Sequence, residues 1–105
     1  MSTGNNNYAI AQGASYQGED WWKWWIWIEG EPDRLSQVDY VVYTLHFSFN
    51  DPVRKMTNRN AKFRLDSEGW GVFTIFARLH LKDGTEIPLE HELELEYPDG
   101  KKNLS

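Results

Sequence analysis

The chain has 105 residues, of which 40% are hydrophobic, and its 11 lysines and arginines against 16 aspartates and glutamates leave a net charge of −5. That length suits one domain with a real core. Cysteine is absent, which excludes disulfides, thiolate metal sites and cysteine nucleophiles, and the negative balance argues against nucleic acid as a partner.

Residues 1–7 are small and polar and are expected to be a disordered N-terminal segment. Met1 to Gln12 carry neither the basic lead nor the apolar run of a signal peptide, and no later apolar stretch is long enough to span a bilayer. A cytoplasmic location without membrane contact is therefore expected. Tyr8 to Gln17 reads as a first edge strand anchored by Tyr8, Ile10 and Tyr16, with Gly13 a weak point.

The next stretch dominates the chain. Five of the six tryptophans lie between Trp21 and Ile28. With the period of a strand, Trp22, Trp24, Ile26 and Ile28 share one face, and Trp21, Lys23, Trp25, Trp27 and Glu29 share the other. The first face must meet a core, since each enclosed indole removes ~150–250 Å² from water, up to ~4–6 kcal/mol. The second keeps indoles where a solvated strand would be polar. Trp25 and Trp27 are therefore expected to make a partial contact with another copy or a protein partner.

Gly30-Glu31-Pro32-Asp33 predicts a turn, and Ser36 to Phe49 a strand with Val41, Tyr43, Leu45 and Phe47 on one parity. Asn50-Asp51-Pro52 closes it. A short edge strand over Val53 to Thr57, a loop at Asn58-Arg59-Asn60, a brief strand anchored by Phe63 and Leu65, and a turn from Asp66 to Trp70 follow. No stretch reads as an amphipathic helix.

The last strands have the cleanest pattern. Phe73, Ile75, Ala77, Leu79 and Leu81 are odd-numbered, as are Ile87, Leu89, Leu93, Leu95 and Tyr97 opposite the glutamates. A two-residue Asp83-Gly84 turn would set Leu81 beside Glu86 and break that pattern. A three-residue loop with Gly84 left-handed pairs Leu81 with Thr85, Leu79 with Ile87, Ala77 with Leu89 and Ile75 with His91. About seven strands without helices or repeats predict an all-β sandwich over residues 8–98, with residues 99–105 a tail.

Little in the chain suggests catalysis. His46 and His80 lie on different strands, and His91 sits inward, reading as a core histidine with satisfied nitrogens, so no metal site is expected. The glutamates from Glu90 to Glu96 alternate outward as a solvated face, and Ser48 and Ser67 lack nucleophile-elbow surroundings. Neither an enzyme nor a cofactor is expected. Two loops remain: Leu45-His46-Phe47-Ser48-Phe49, and Gly69-Trp70-Gly71, where an aromatic between glycines either caps the sandwich end or lines a site.

Together those loops resemble the YEATS domain family, most closely its compact prokaryotic branch. The resemblance rests on Val41 to Phe49 with the Leu-His-x-Ser-Phe motif, on Asn50 to Arg54, and on Ser67-Glu68-Gly69-Trp70-Gly71-Val72-Phe73. Trp24 to Gly30 and His91 to Leu95 are similar to the family's leading and final strands, so the likeness covers roughly Tyr16 to Tyr97. It implies an immunoglobulin-like antiparallel β-sandwich of seven to eight strands. It also implies a reader of acetyl- or crotonyl-lysine on a peptide or protein. The acyl chain would enter between Phe49 and Trp70, with Ser48 at its amide, His46 lining the channel, and backbone N–H groups of Gly69-Trp70-Gly71 at its carbonyl oxygen. Phe47 stands where many members carry a polar residue, and Val72 where Gly or Glu is usual, which alters the mouth. Two other functions are compatible with the residues: a structural or assembly module using its tryptophans, and a carbohydrate-binding module.

Overall fold

The structure, a computed structural model, describes residues 7–104, so the N-terminal segment expected to be disordered lies, apart from Asn7, outside the described residues. The tryptophan run forms β2 (Trp21–Glu29), the middle of a three-stranded antiparallel sheet between β1 (Ala9–Gly18) and β5 (Leu65–Gly69). Trp22, Trp24, Ile26 and Ile28 are each no more than 1% exposed, as the alternation requires. The second sheet comprises β3 (Val38–Thr44), β4 (Val53–Met56), β6 (Thr74–Leu81) and β7 (Glu86–Glu92), in the order β4-β3-β6-β7. Its inward Val41, Tyr43, Ile75 and Leu79 are fully buried in the same core. Two antiparallel sheets around one core make the all-β sandwich expected from the pattern.

The β6–β7 hairpin has the bulged register. Gly84 has φ of 91°, Leu81 N donates to Thr85 O at 2.8 Å, and Leu79, Ala77 and Ile75 pair with Ile87, Leu89 and His91. A register slipped by one residue would turn the apolar parity of one strand outward.

Four local expectations are corrected. Residues 30–33 do more than turn: Pro32–Leu35 form a single helical turn, α1, started by a proline whose missing N–H costs nothing at that position, and Leu35 is buried. The strand predicted to reach Phe49 ends at Thr44: Leu45 N still bonds Pro52 O at 2.8 Å, but the chain then turns, with Phe49 N bonding His46 O at 3.0 Å. The parity is lost there, and Phe47, expected inward, is 86% exposed. The loop at 58–60 contains a 3₁₀ turn, Arg59–Ala61, whose first turn is capped by the Asn58 side chain. Finally, the strand expected at Leu65 starts there and runs on to Gly69, through residues 66–69 that were expected to turn. Asp-Ser-Glu-Gly has poor strand propensity, but pairing with β2 overrides it.

His91 lies where the pattern put it, with one difference. Its Nε2 bonds Gln12 Oε1 at 2.6 Å, whereas the buried Nδ1 has no partner among the described residues. Burial holds the imidazole below its usual range, against the opposing pull of Glu94 and Glu92. Gln12 also bonds both Glu94 N and Glu94 O, at 2.8 and 2.7 Å, so one amide ties β1 to the chain beyond β7.

On the outer face of β2, Trp25 and Trp27 are half-buried. Trp25 lies across Gly13, where a Cβ would overlap the indole, and the Arg64 guanidinium sits 5.2 Å from a Trp25 ring centre. Gly13 is thus needed for ring packing, which the sequence reading took for a weakness.

Candidate functional site

One end of the sandwich holds a cavity of about 410 Å³, within the ~300–1,000 Å³ usual for small-ligand sites. Its walls come from the β3–β4 loop, from the end of β5, and from the start of β2. These meet for topological reasons. β2 pairs with β5 so that Trp22 stands opposite Gly69, and the chain leaving β5 carries Trp70 to the same end as the loop leaving β3.

Each sequence-predicted site residue lines this cavity: His46, Ser48, Phe49, Gly69, Trp70 and Gly71. Phe49 is half-buried and wedged edge-on against Trp24, with ring centres 6.2 Å apart, and packs on Phe73 at 5.3 Å. The core therefore holds this ring in place. Trp70 differs, being 60% exposed, so most of its ring surface faces solvent. Among the described residues no ring contact joins Phe49 to Trp70, and a Cβ on Gly69 would lie 4.0 Å from the Phe49 ring tip.

The polar groups have a definite sense. Ser48 N donates to His46 Nδ1 at 3.2 Å, so that nitrogen is an acceptor and the ring proton sits on Nε2. Ser48 Oγ lies 2.8 Å from the same Nδ1 and must be the donor. The hydroxyl lone pairs are left to accept a hydrogen bond from elsewhere. Outside the strand ladders, none of the described backbone hydrogen bonds uses the N–H of Trp70 or Gly71. The site thus offers an acceptor on one loop and backbone donors on the other, a fit for the N–H and C=O of an amide. Among the described residues no carboxylate bonds the His46 ring, so this Ser–His pair lacks the third member of a catalytic triad. No cluster of three metal-ligating side chains occurs among the described residues.

Sequence reasoning missed several contributors. Trp21, assigned to the outer face, lines the cavity, and its Nε1 donates to Glu68 Oε1 at 3.0 Å. Gly18, Glu19 and Asp20 precede it, all left-handed with φ of 97°, 53° and 57°. Tyr97 Oη donates to Asp20 Oδ1 at 2.7 Å, and Asp20 N donates to Tyr16 Oη at 3.2 Å, which fixes this tight turn. The Asp20 carboxylate, as hydrogen-bond acceptor, raises the Tyr97 phenol above its usual range. Phe73 forms part of the cavity wall as well as packing on the core. Residues 99–105, read as a tail, return to the domain as far as they are described. Glu96 bridges Lys102, Asn103 N bonds Leu95 O at 2.8 Å, and the Asn103 side chain donates to Trp70 O. No local pattern could announce that long-range contact.

Comparison with known proteins agrees with this geometry. The profile of the prokaryotic YEATS domain matches residues 22–94. Subunit 14b of the transcription initiation factor TFIID from Arabidopsis thaliana is 35% identical over 102 residues, covering 91% of this chain and 36% of the relative. An AF-9 homolog from Candida albicans is 29% identical over 63 residues, covering 60% of this chain and 24% of the relative. The chain thus spans about a third or less of these curated relatives. Among solved structures, a Yaf9 YEATS domain recognising a succinylated H3 peptide superposes with a TM-score of 0.71 at 23% identity, covering 94% of this chain and 77% of that one. Yeast Yaf9 itself gives 0.69 at 21% identity, over 98% and 79%. At such identities the likeness establishes the immunoglobulin-like sandwich, and the matched profile runs from Trp22 in β2 through β7 and includes both loops of the cavity: the chain belongs to the prokaryotic YEATS domain family.

Proposed function

We propose that this protein is a non-enzymatic binding module that recognises an acylated lysine, acetyl or crotonyl, on a peptide or protein. The observation that carries the reading is the convergence of an exposed indole, a core-braced phenyl ring and a hydroxyl acceptor on one cavity. An acylated lysine is neutral and ends in a flat amide. The slot between Phe49 and Trp70 suits that group, Ser48 Oγ accepts its N–H, and the Gly69-Trp70-Gly71 backbone faces its oxygen. A free ammonium has neither the flat amide to stack between the rings nor the carbonyl oxygen for the backbone N–H groups. A solved Yaf9 YEATS domain bound to an acetylated H3 peptide supports the ligand class by analogy.

The test is a parallel titration with one peptide carrying acetyl-, crotonyl- or unmodified lysine, and with soluble glycans. Preference for the acylated peptides is expected. Equal binding of the unmodified peptide overturns the reading, and binding of glycans alone replaces it with carbohydrate recognition by the tryptophans.

A further inference from the structure

The cavity wall contains a formal charge that amide recognition does not use. Glu68 stands on β5, and the bond from Trp21 Nε1 holds its carboxylate at the wall. None of the described lining residues is lysine or arginine. Arg54, Arg64 and Lys23 are not among the residues that line the cavity. Arg54 donates to the carbonyls of Asn50 and Asp51, and Arg64 pairs with Asp66 at 2.8 Å. Lys23 stands opposite Glu68 in the β2–β5 ladder, but it neither forms an ion pair with Glu68 nor lines the cavity. The whole chain adds a field of the same sign, at −5.

We propose that Glu68 is a specificity-determining residue that makes the site accept neutral acyl groups and reject acyl groups ending in a carboxylate, such as succinyl, malonyl or glutaryl. The inference rests on the acyl-lysine reading above. A carboxylate entering this cavity loses water, meets a like charge and finds no lysine or arginine on the wall to offset either cost. A neutral acyl chain incurs neither cost. In this respect the chain departs from the Yaf9 domain that recognises a succinylated H3 peptide.

The experiment measures affinity for one peptide carrying acetyl-, crotonyl-, succinyl- or unmodified lysine, with wild type, Glu68→Gln and Glu68→Ala. Glutamine retains the acceptor for Trp21 Nε1 and removes only the charge. Wild type should bind the crotonyl peptide at least about tenfold tighter than the succinyl peptide, and Glu68→Gln should bring the two within about threefold while changing crotonyl affinity by less than about twofold. Glu68 faces solvent, so added salt should narrow the wild-type gap too. An unchanged ratio in Glu68→Gln overturns the proposal, as does wild-type binding of succinyl equal to crotonyl. Narrowing in Glu68→Ala but not Glu68→Gln also overturns it, since the effect would then come from releasing Trp21. If no acylated peptide outcompetes unmodified lysine, the binding function itself fails; if neutral acyl peptides bind without charge discrimination, only the role of Glu68 fails.

Discussion

Replacing Trp70 with alanine separates ligand surface from structural support, because the ring is divided unequally between the two. Trp70 is 60% exposed, so about two-fifths of its surface is enclosed by the fold. Taking ~150–250 Å² for a fully enclosed aromatic, the fold covers ~60–100 Å², an upper bound of ~1.5–2.5 kcal/mol. The larger, solvent-facing part is what a stacked ligand would cover, at ~90–150 Å² or ~2–4 kcal/mol, with ~0.5–1.5 kcal/mol more from ring geometry. Trp70→Ala should therefore remain folded at 25 °C while losing well over tenfold in affinity for a crotonyl-lysine peptide. Urea denaturation and calorimetric titration on the same preparation measure the two effects. Unchanged affinity in a folded variant would refute the placement of the ring against the ligand. Complete unfolding would show instead that Trp70 is a core element.

Ser48→Ala should weaken the same peptide by ~0.5–1.5 kcal/mol, up to about tenfold, with an unaltered melting temperature, since Ser48 is exposed and its hydroxyl bonds only a neighbouring ring. Tyr43→Phe tests the anchor of β5: Tyr43 is fully buried and its Oη donates to Phe63 O at 3.0 Å, where two consecutive left-handed residues, Lys62 and Phe63, turn the chain into the strand that carries Trp70. Leaving that carbonyl unpaired should cost ~1–3 kcal/mol, a fall of ~4–8 °C per kcal/mol in a melt, and a loss below ~0.5 kcal/mol would contradict the bond's structural role. His91 governs a pH dependence. Its folded value is lowered from the ordinary 6.5, so above 6.5 both states are neutral, and below it the unfolded chain takes the proton first. Stability should fall as pH drops below 6.5, until the lowered folded value is passed, more steeply in wild type than in His91→Gln; parallel pH profiles would reject the burial of this ring.

The sequence by itself determined the features that depend on alternation and on short-range turn chemistry. A run such as Trp22, Trp24, Ile26 and Ile28 has one strand phase that buries its large side chains, and the parities of β6 and β7 exclude a two-residue loop at Asp83-Gly84. The two loop motifs were legible as well, because each combines aromatic, hydroxyl or glycine residues at fixed spacing. The tertiary structure decided what depends on pairing across the chain. Residues 66–69 became strand because β2 offered an unpaired edge, and Phe47 left the core because the chain turns after Leu45, with Phe49 N on the His46 carbonyl. Trp21 and Glu68 joined the cavity, and Asn103 reached the Trp70 carbonyl, through contacts spanning 47 and 33 residues. Periodicity carries no information at that range, because a hydrogen bond between distant segments is specified only once the sheets have packed.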